Sequence, residues 1–330
     1  MGRVFVTRTI PGRAPELLAA AGHDLDVWPE AGPPGREALA AALSASDAAL
    51  TMVTDRIDRA LLDASPKLKV LSNMAVGYDN VDPKVAAGAG VWLTNTPGVL
   101  AETTADMAFA LLMAAARQVV ASDRDTRAGG WAAWSPTAFL GQDVGGATLG
   151  IVGLGEIGLA MAKRGRGFGM RVLYSSRTRK EALEAQFGVE RAALEDLLRE
   201  ADFVSLHTPL TPETRHMIGA RELGLMKPTA ILINTARGQV VDQEALIAAL
   251  RERRIGGAAL DVTEPEPLPF DNALFGFENV IITPHIASAS LATRSRMAEM
   301  AATNIIAALD GRDPPNAVNR PEAPRNRVRA

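Results

Sequence analysis

The chain contains no cysteine. Disulfide bonds and thiolate nucleophiles are therefore excluded. It also lacks an apolar run of membrane-spanning length and the apolar core of a signal peptide, and Gly2 is not followed by the serine or threonine of a myristoylation signal. These absences predict a protein without a membrane or lipid anchor, and a cytoplasmic location is expected.

Neither sign of charge dominates, since 35 basic residues stand against 38 acidic ones for a formal net charge of −3. No global field draws the protein to nucleic acid or to an anionic membrane, and neither is expected as a partner. A basic, proline-rich tail at residues 320–330 is expected to fray rather than to bind nucleic acid. Hydrophobic residues make up 47% of the 330 residues, enough for two ordinary cores.

Short β-branched segments alternate with alanine- and leucine-rich helical segments along most of the chain. Strand and helix alternating at this spacing predict parallel sheets with helices on both faces. Between the two halves, the glycine-, tryptophan- and proline-rich residues 129–146 are predicted to be irregular. Helices are predicted at 14–21, 37–45, 102–117 and 291–309, and strands at 4–7, 25–28, 48–52, 70–73, 91–94, 148–152, 171–174, 203–206, 230–234, 257–261 and 280–283.

Three glycines open the second half in the spacing GxGxxG. Gly153 permits a tight turn, Gly155 lets a pyrophosphate approach the backbone, and Gly158 permits close packing of helix on strand. The pattern alone is weak, and a glycine-rich turn of an ordinary α/β protein is the alternative. Here a strand precedes it and a helix and a second strand follow, which is the context that dinucleotide binding requires.

The end of that second strand indicates which dinucleotide binds. An acidic residue there would favour NAD(H), whereas this chain reads YSSRTRK at 174–180. We interpret Ser176, Arg177 and Thr178, with Arg179 and Lys180, as an anion pocket for a 2′-phosphate, although a solvated basic turn would read the same. NADP(H) is therefore predicted in preference to NAD(H).

Three further strand ends carry polar residues suited to catalysis. Arg237 follows the strand at 230–234, Glu266 follows that at 257–261 between two prolines, and His285 follows that at 280–283. In open parallel sheets, ligand chemistry collects outside the carboxyl ends of the strands. Each residue alone also fits a structural role, as a turn cation, a solvated acid and a packed histidine.

These residues also carry a resemblance to a known family. The chain resembles the D-isomer-specific 2-hydroxyacid dehydrogenases, and among them most resembles the glyoxylate/hydroxypyruvate reductases. The similarity extends over nearly the whole length, with alanine at 287 where family members often have glycine. It rests on GLGEIG at 153–158 and on VGYDN at 76–80, NTPG at 95–98, ETTAD at 102–106, HTPLT at 207–211, NTARGQVVD at 234–242, and the motifs around Glu266 and His285.

The resemblance implies a fold and three catalytic roles. The implied fold has two Rossmann-like, doubly wound domains with the active site in the cleft between them: a substrate domain from 1–98 plus 288–330, and a dinucleotide-binding domain from 99–287. His285 would protonate the substrate carbonyl oxygen, Glu266 would pair with the other ring nitrogen, and Arg237 would bind the substrate carboxylate. The implied activity is NADPH-dependent reduction of glyoxylate or hydroxypyruvate to glycolate or D-glycerate.

The resemblance also implies binding residues and a homodimer. An arm containing Trp134 would pack against a second subunit and reach its active site, or be buried in the interface. Asp261 would orient the nicotinamide carboxamide, and His207 would line the cofactor cleft. The implied substrate contacts are Met52, Val76, Gly77, Arg237, Ser288 and Trp134, and the implied cofactor contacts are Leu154, Gly155, Glu156, Ile157, Ser176, Arg177, Thr178, Thr104, His207, Thr208, Pro209, Thr214, Thr235, Ala236 and Asp261.

Two alternatives remain at this point. One is another enzyme of the family, such as a phosphoglycerate dehydrogenase, which would more often carry the NAD-type acid and a regulatory domain. The other is a dinucleotide sensor like the carboxy-terminal binding protein corepressors, which prefer NAD(H). No metal is expected, because His, Asp and Glu do not cluster at ligand spacing. Short 2-oxo acids differ by too few atoms for the sequence to select one.

Overall fold

The computed structural model describes residues 1–325, so the last five residues of the basic tail lie outside the described part. The chain forms two compact units. Unit 1 comprises Met1–Leu100 and the chain from Ala289 onward, and unit 2 comprises Ala101–Ser288. The sequence predicted domain boundaries after residue 98 and before residue 288.

Unit 1 is built on a parallel sheet of five strands in the order β2-β1-β3-β4-β5. Strands β3 and β4 are buried along their whole length, as strands covered on both faces should be. The strands are β1 (Arg3–Val6), β2 (Asp24–Val27), β3 (Ala48–Thr51), β4 (Val70–Asn73) and β5 (Trp92–Thr94), and the helices are α1 (Ala14–Ala20), α2 (Arg36–Ala45), α3 (Arg59–Asp63), α4 (Pro83–Gly88) and α12 (Leu291–Leu309).

Unit 2 is built on a parallel sheet of seven strands in the order β12-β11-β10-β9-β6-β7-β8. Its strands are β6 (Thr148–Val152), β7 (Arg171–Ser175), β8 (Val189–Arg191), β9 (Phe203–Leu206), β10 (Ile231–Asn234), β11 (Gly257–Leu260) and β12 (Val280–Ile282). Its helices are α5 (Ala101–Ala116), α6 (Val119–Arg127), α7 (Glu156–Gly167), α8 (Glu181–Phe187), α9 (Leu194–Glu200), α10 (Ala220–Leu225) and α11 (Gln243–Arg251), with 3-10 turns at Gly238–Val240 and Ala273–Gly276.

The predicted fold class, two parallel-sheet α/β domains, is confirmed. Every predicted strand is present, with ends shifted by at most one residue. The sequence analysis did not locate strand β8, nor helices α3, α4, α6 and α8 to α11. Strand β8 is three residues long with one buried side chain, and α6 has no buried residue, so neither shows a hydrophobic period.

The basic tail at residues 320–330 was expected to fray. For residues 320–325, which the structure describes, this expectation is wrong. The Arg325 N–H donates to Gly90 O at 3.0 Å, and its guanidinium donates to Ser65 O at 2.6 Å. The chain is therefore held against unit 1 as far as residue 325.

Within residues 1–325, no single helix is long and apolar enough to cross a membrane. Helices α5 and α6, bent by 63° at their junction, satisfy the criterion only when counted together.

Candidate active site

The glycine-rich turn between β6 and α7 is closed by backbone packing. Gly153 has φ +98°, and its N–H donates to Ser175 O at 2.8 Å. A Cβ atom on Gly153 would lie 2.7 Å from His207 O, and one on Gly158 would lie 2.1 Å from Gly153 O. No side chain fits at either position, so these two glycines are required by the turn itself.

The same turn leaves room for a ligand at the start of α7. A Cβ on Gly155 would meet no atom within 4 Å, and Gly155 is the residue that precedes the 12-residue helix. Glu156 is exposed and Ile157 half-buried, whereas the Leu154 side chain lies in the core, so Leu154 offers only its backbone. Open N–H groups at a helix N-terminus suit a pyrophosphate.

In the turn after β7, residues 176–180, the two arginines of the predicted anion pocket have different surroundings. Arg177 and Thr178 are exposed, and the Ser176 hydroxyl donates to Thr178 O at 2.6 Å. Arg179, however, is already paired with Glu184, with 2.8 Å between Nη2 and Oε2. Of the two arginines of this turn, Arg177 is therefore the one available to an anion.

The loop after β9, residues 207–217, is closed on itself by Thr214. The Thr214 hydroxyl donates to Pro209 O at 2.6 Å and accepts from the Thr211 N–H at 2.8 Å. Thr208 lies beside Met217, with 3.9 Å between Oγ1 and Sδ. The Thr211 hydroxyl, the Glu213 backbone and the charge of Arg177 hold the pKa of Glu213 below its usual range. Arg177 is thus close enough to this loop to act on it electrostatically.

His207 begins this loop and is the histidine that competes with His285 for the role of proton donor. Its Nε2 lies 2.8 Å from Ser205 Oγ. Burial lowers the pKa of His207 to about 4. A lowered pKa disfavours the charged ring that a proton donor needs, so His285 is the better candidate for the acid.

Arg237 follows β10 on a turn that packs directly against the loop after β11. The Asn234 side chain fixes the turn, accepting from the Ala236 N–H at 3.0 Å and donating to Arg237 O at 2.8 Å. A Cβ on Gly238 would lie 2.0 Å from Thr263 O, so only glycine permits this contact. Arg237 itself is half-buried.

The loop that carries His285 is held by the buried carboxylate of Asp261. Asp261 Oδ1 accepts from Thr283 Oγ1 at 2.6 Å and from the Ile286 N–H at 2.8 Å, and Oδ2 accepts from the Ala287 N–H at 2.7 Å. His285 has φ +53°, a backbone conformation that is costly for a non-glycine residue. The Asp261 bonds on both sides of His285 hold it there. The contact of Asp261 with the nicotinamide carboxamide stays a prediction.

His285 and Glu266 form the pair expected from the sequence. His285 Nδ1 lies 2.6 Å from Glu266 Oε1, and both side chains are 32% exposed. The bond uses Nδ1, so Nε2 is the nitrogen that faces away from the glutamate. This is the arrangement of an imidazole oriented for proton transfer by a carboxylate.

The catalytic candidates come together because their strands are neighbours. Arg237 follows β10, Glu266 follows β11 and His285 follows β12, and the order β12-β11-β10 is continuous in the sheet. All three strands are parallel, so the residues leave the same edge of unit 2. The edge can therefore offer one guanidinium and one carboxylate-oriented imidazole to the same small molecule.

The remaining cofactor candidates in unit 2 are partly buried. Thr104 lies in α5 and is 4% exposed. Thr235 is buried, and its hydroxyl oxygen makes no hydrogen bond within the described residues. An unsatisfied buried hydroxyl is unfavourable, so a partner supplied by a ligand would stabilise this position. The open helix N-terminus and this hydroxyl show that the residues present fit a dinucleotide.

The substrate candidates of unit 1 lie on two loops that are tied together. Asn80 Nδ2 donates to Met52 O at 3.1 Å, and Asn73 Nδ2 donates to Gly77 O at 2.9 Å. Asn95 Nδ2 donates to Val76 O at 2.9 Å. These bonds involve the carbonyl oxygens of Val76 and Gly77. They do not involve the N–H groups of the two residues, whose binding of a carboxylate stays a prediction.

Ser288 and Trp134, also predicted near the substrate, differ in exposure. Ser288 is half-buried and follows His285 by three residues in unit 2. Trp134 is 84% exposed on the irregular segment 129–146.

Reasoning from the sequence missed two acidic residues near the site. Glu184 pairs with Arg179, and Glu264 contacts His216 Nε2 at 2.7 Å and Arg215 Nη1 at 2.9 Å. The only sequence signal for Glu184 is its position five residues after the basic Arg179, near the start of a helix. Nothing in the sequence indicates the second, because 48 residues separate Glu264 from His216. Within residues 1–325, no group of three or more His, Cys, Asp and Glu side chains is placed to hold a metal ion.

The chain is similar to a family of known chemistry. The family model described as "D-isomer specific 2-hydroxyacid dehydrogenase, NAD binding domain" matches residues 109–287. Two archaeal proteins named glyoxylate reductase are among its relatives. That of Korarchaeum cryptofilum is 56% identical over 319 residues, and that of Aeropyrum pernix is 51% identical over 322, each match covering 96% of both chains.

A solved structure extends the similarity to three dimensions. It is an NADPH-dependent glyoxylate/hydroxypyruvate reductase from Sinorhizobium meliloti in complex with NADP and malonate. It is 32% identical to this chain, with a TM-score of 0.84 and a match covering 99% of each chain.

The three bonds to Asp261 predict that Asp261→Asn destabilises the protein. The amide keeps one acceptor oxygen but turns an NH₂ group toward a backbone or hydroxyl donor. We expect a loss of about 1–3 kcal/mol in the free energy of unfolding, measured with urea.

Thr283→Val serves as the control, because it removes one donor and leaves the carboxylate in place. Its expected loss is about 1 kcal/mol. An Asp261→Asn variant as stable as the wild type would show that this carboxylate does not hold the His285 loop.

Proposed function

Because the chain belongs to the D-isomer specific 2-hydroxyacid dehydrogenase family, we propose that it reduces glyoxylate, and by the same chemistry hydroxypyruvate, to the 2-hydroxy acid with NADPH. The products would be glycolate and D-glycerate. Family membership makes the chain an oxidoreductase with a nicotinamide dinucleotide cofactor. The observation that carries the proposal is the His285–Glu266 pair at 2.6 Å, on the same sheet edge as Arg237.

His285 is the proposed general acid. When bound, the dinucleotide supplies the hydride that the substrate carbonyl carbon receives. The carbonyl oxygen then needs a proton, and His285 Nε2 donates it while Nδ1 stays bound to Glu266. The negative charge of Glu266 stabilises the protonated ring before transfer and fixes its orientation. In the reverse direction the neutral ring accepts the proton from the hydroxyl.

Arg237 is the proposed carboxylate ligand. A guanidinium binds a carboxylate through two parallel hydrogen bonds, which sets the orientation of a 2-oxo acid as well as its affinity. Its turn is pinned by Asn234 and by the Gly238–Thr263 contact, so the side chain is carried on a rigid backbone, with Nη1 donating to Ala236 O at 2.8 Å. The N–H groups of Val76 and Gly77 stay a prediction as further carboxylate ligands.

The dinucleotide would bind at the glycine turn and the loops beside it. The pyrophosphate would receive N–H groups at the start of α7. Arg177 would bind the 2′-phosphate, since the end of β7 carries Ser175 and Ser176 and no acid. That the related reductase of Sinorhizobium meliloti is NADPH-dependent supports this preference.

We expect kcat/KM to be higher with NADPH than with NADH when glyoxylate or hydroxypyruvate is supplied. Loss of the charged hydrogen bonds in Arg177→Asp should lower kcat/KM for NADPH about tenfold to 100-fold and reverse the preference. The measurement is the rate of nicotinamide oxidation, followed by absorbance, with both cofactors side by side.

The assay tests the proposed reaction and the role of Arg177 separately. Turnover that favours NADH would keep the reaction and remove the role of Arg177. Tight dinucleotide binding without turnover of either acid would contradict the proposed reaction and favour a sensor or a larger substrate.

Replacing His285 should abolish turnover without affecting dinucleotide binding. His285→Gln removes the proton donor, and we expect kcat to fall about 10²–10⁴-fold. His216→Gln is a matched control, because His216 is also paired with a glutamate, at 2.7 Å. It should keep kcat within about threefold of the wild type. A His285→Gln variant within tenfold of the wild type would refute the assignment.

We also propose that the chain is a homodimer. Val119, Trp131, Trp134 and Leu140 are each more than half exposed along residues 119–140 of unit 2. Several large apolar side chains exposed along one segment favour an interaction site, and a second copy would cover them as the family resemblance implies. Trp134 would then lie at the interface or reach the neighbouring active site.

Sedimentation velocity should therefore give about twice the chain mass of 34.8 kDa. Leu140→Asp should shift the protein toward the monomer, because it places a charge in the apolar contact. A monomeric wild type with full activity would contradict both the dimer and the role of Trp134.

A further inference from the structure

A pocket of about 480 Å³ lies at the carboxyl ends of β7 and β8, beside the turn proposed to bind the 2′-phosphate. Its charged lining consists of two guanidiniums, Arg179 and Arg191, and one carboxylate, Glu184. Ser175 and Ser176 contribute polar groups from the end of β7. The pocket suits an anion, but it already contains a negatively charged side chain.

Glu184 and Arg179 form a close pair in this pocket. Arg179 Nη2 lies 2.8 Å from Glu184 Oε2, and Arg179 Nε lies 3.1 and 3.2 Å from the two carboxylate oxygens. This is the two-point geometry by which a guanidinium binds a carboxylate or a phosphate. A second acid, Glu181, lies 3.4 Å from Arg179 Nη1 but is 76% exposed, so its charge is well screened.

Tyr174 holds the glutamate in place. Its ring is fully buried, its hydroxyl donates to Glu184 Oε1 at 2.7 Å, and the same hydroxyl accepts from the Lys180 N–H at 2.8 Å. Glu184 therefore has a fixed position rather than a mobile surface side chain, with only 17% of it exposed. Arg179 and Tyr174 hold the pKa of Glu184 below its usual range, so it is charged at neutral pH.

We propose that Glu184 is a specificity-determining residue that limits the preference for NADPH by occupying Arg179 with a resident carboxylate. The inference rests on the proposed binding of the 2′-phosphate at this turn. A phosphate entering the pocket must displace Glu184 from Arg179 or bind Arg191 or the neighbouring Arg177 instead, and it meets the repulsion of the glutamate in each case. NADH carries no such phosphate and is indifferent to Glu184.

Glu184→Gln is the decisive variant. Glutamine keeps a carbonyl oxygen to accept from the Tyr174 hydroxyl but removes the charge. With Arg179 released and the repulsion gone, the Kd for NADPH should fall about tenfold, while the Kd for NADH changes less than about twofold. Glu181→Gln is the matched control and should change neither Kd by more than about twofold. Binding is measured by the fluorescence of the bound reduced nicotinamide, without substrate.

Arg179→Gln tests the same pair from the other side. It removes the guanidinium that pairs with Glu184 and leaves the carboxylate in the pocket, so the Kd for NADPH should rise about tenfold with little change for NADH. The double variant Arg179→Gln/Glu184→Gln should lose the gain seen in Glu184→Gln, since the released guanidinium is then absent. The Arg179→Gln single variant remains informative if thermal unfolding shows that Glu184→Gln is poorly folded.

An unchanged ratio of the two Kd values in Glu184→Gln would overturn the inference, as would a gain for NADPH that persists in the double variant. Failure of the proposed function gives a different result. A wild type that does not reduce glyoxylate, or that prefers NADH, contradicts the proposed reaction or the role of Arg177. The shift caused by Glu184→Gln is read from binding and is independent of turnover.

Discussion

The buried carboxylate of Asp261 is the interaction on which the rest of the site depends. It accepts hydrogen bonds from Thr283, Ile286 and Ala287, and so joins the end of β11 to the loop after β12. His285 lies inside that set of bonds with a positive φ. Without them the chain would relax toward an ordinary backbone conformation, and the imidazole would leave the position from which Nδ1 reaches Glu266.

Each end of the proposed cofactor site carries a glutamate hydrogen-bonded to a nitrogen-bearing side chain, and the two glutamates have different effects. At the catalytic end, Glu266 contacts His285 Nδ1 and holds the ring of the proposed proton donor in one orientation. At the phosphate end, Glu184 contacts Arg179 and satisfies a charge that a ligand would otherwise use. A carboxylate thus orients the proposed catalytic group in one place and, in our proposal, competes with a ligand in the other.

Much of the fold could be predicted from the sequence because the strands are apolar throughout. Strands β9, β10 and β11 are four residues long and entirely buried, so composition alone locates them. The edge strand β8 lacks that signal and was missed. Because parallel strands end at one sheet edge, the positions of Arg237, Glu266 and His285 after β10, β11 and β12 also indicated a common site.

The sequence alone thus determined the two parallel sheets, the glycine turn and the three candidate catalytic residues, because each is written in local pattern and spacing. Only the tertiary structure decided how the remaining side chains are used. Asp261 accepts hydrogen bonds from the His285 loop, and Arg179 is paired with Glu184. Burial lowers the pKa of His207. Hydrogen-bond partners and desolvation depend on which distant segments pack together, and no local pattern records that.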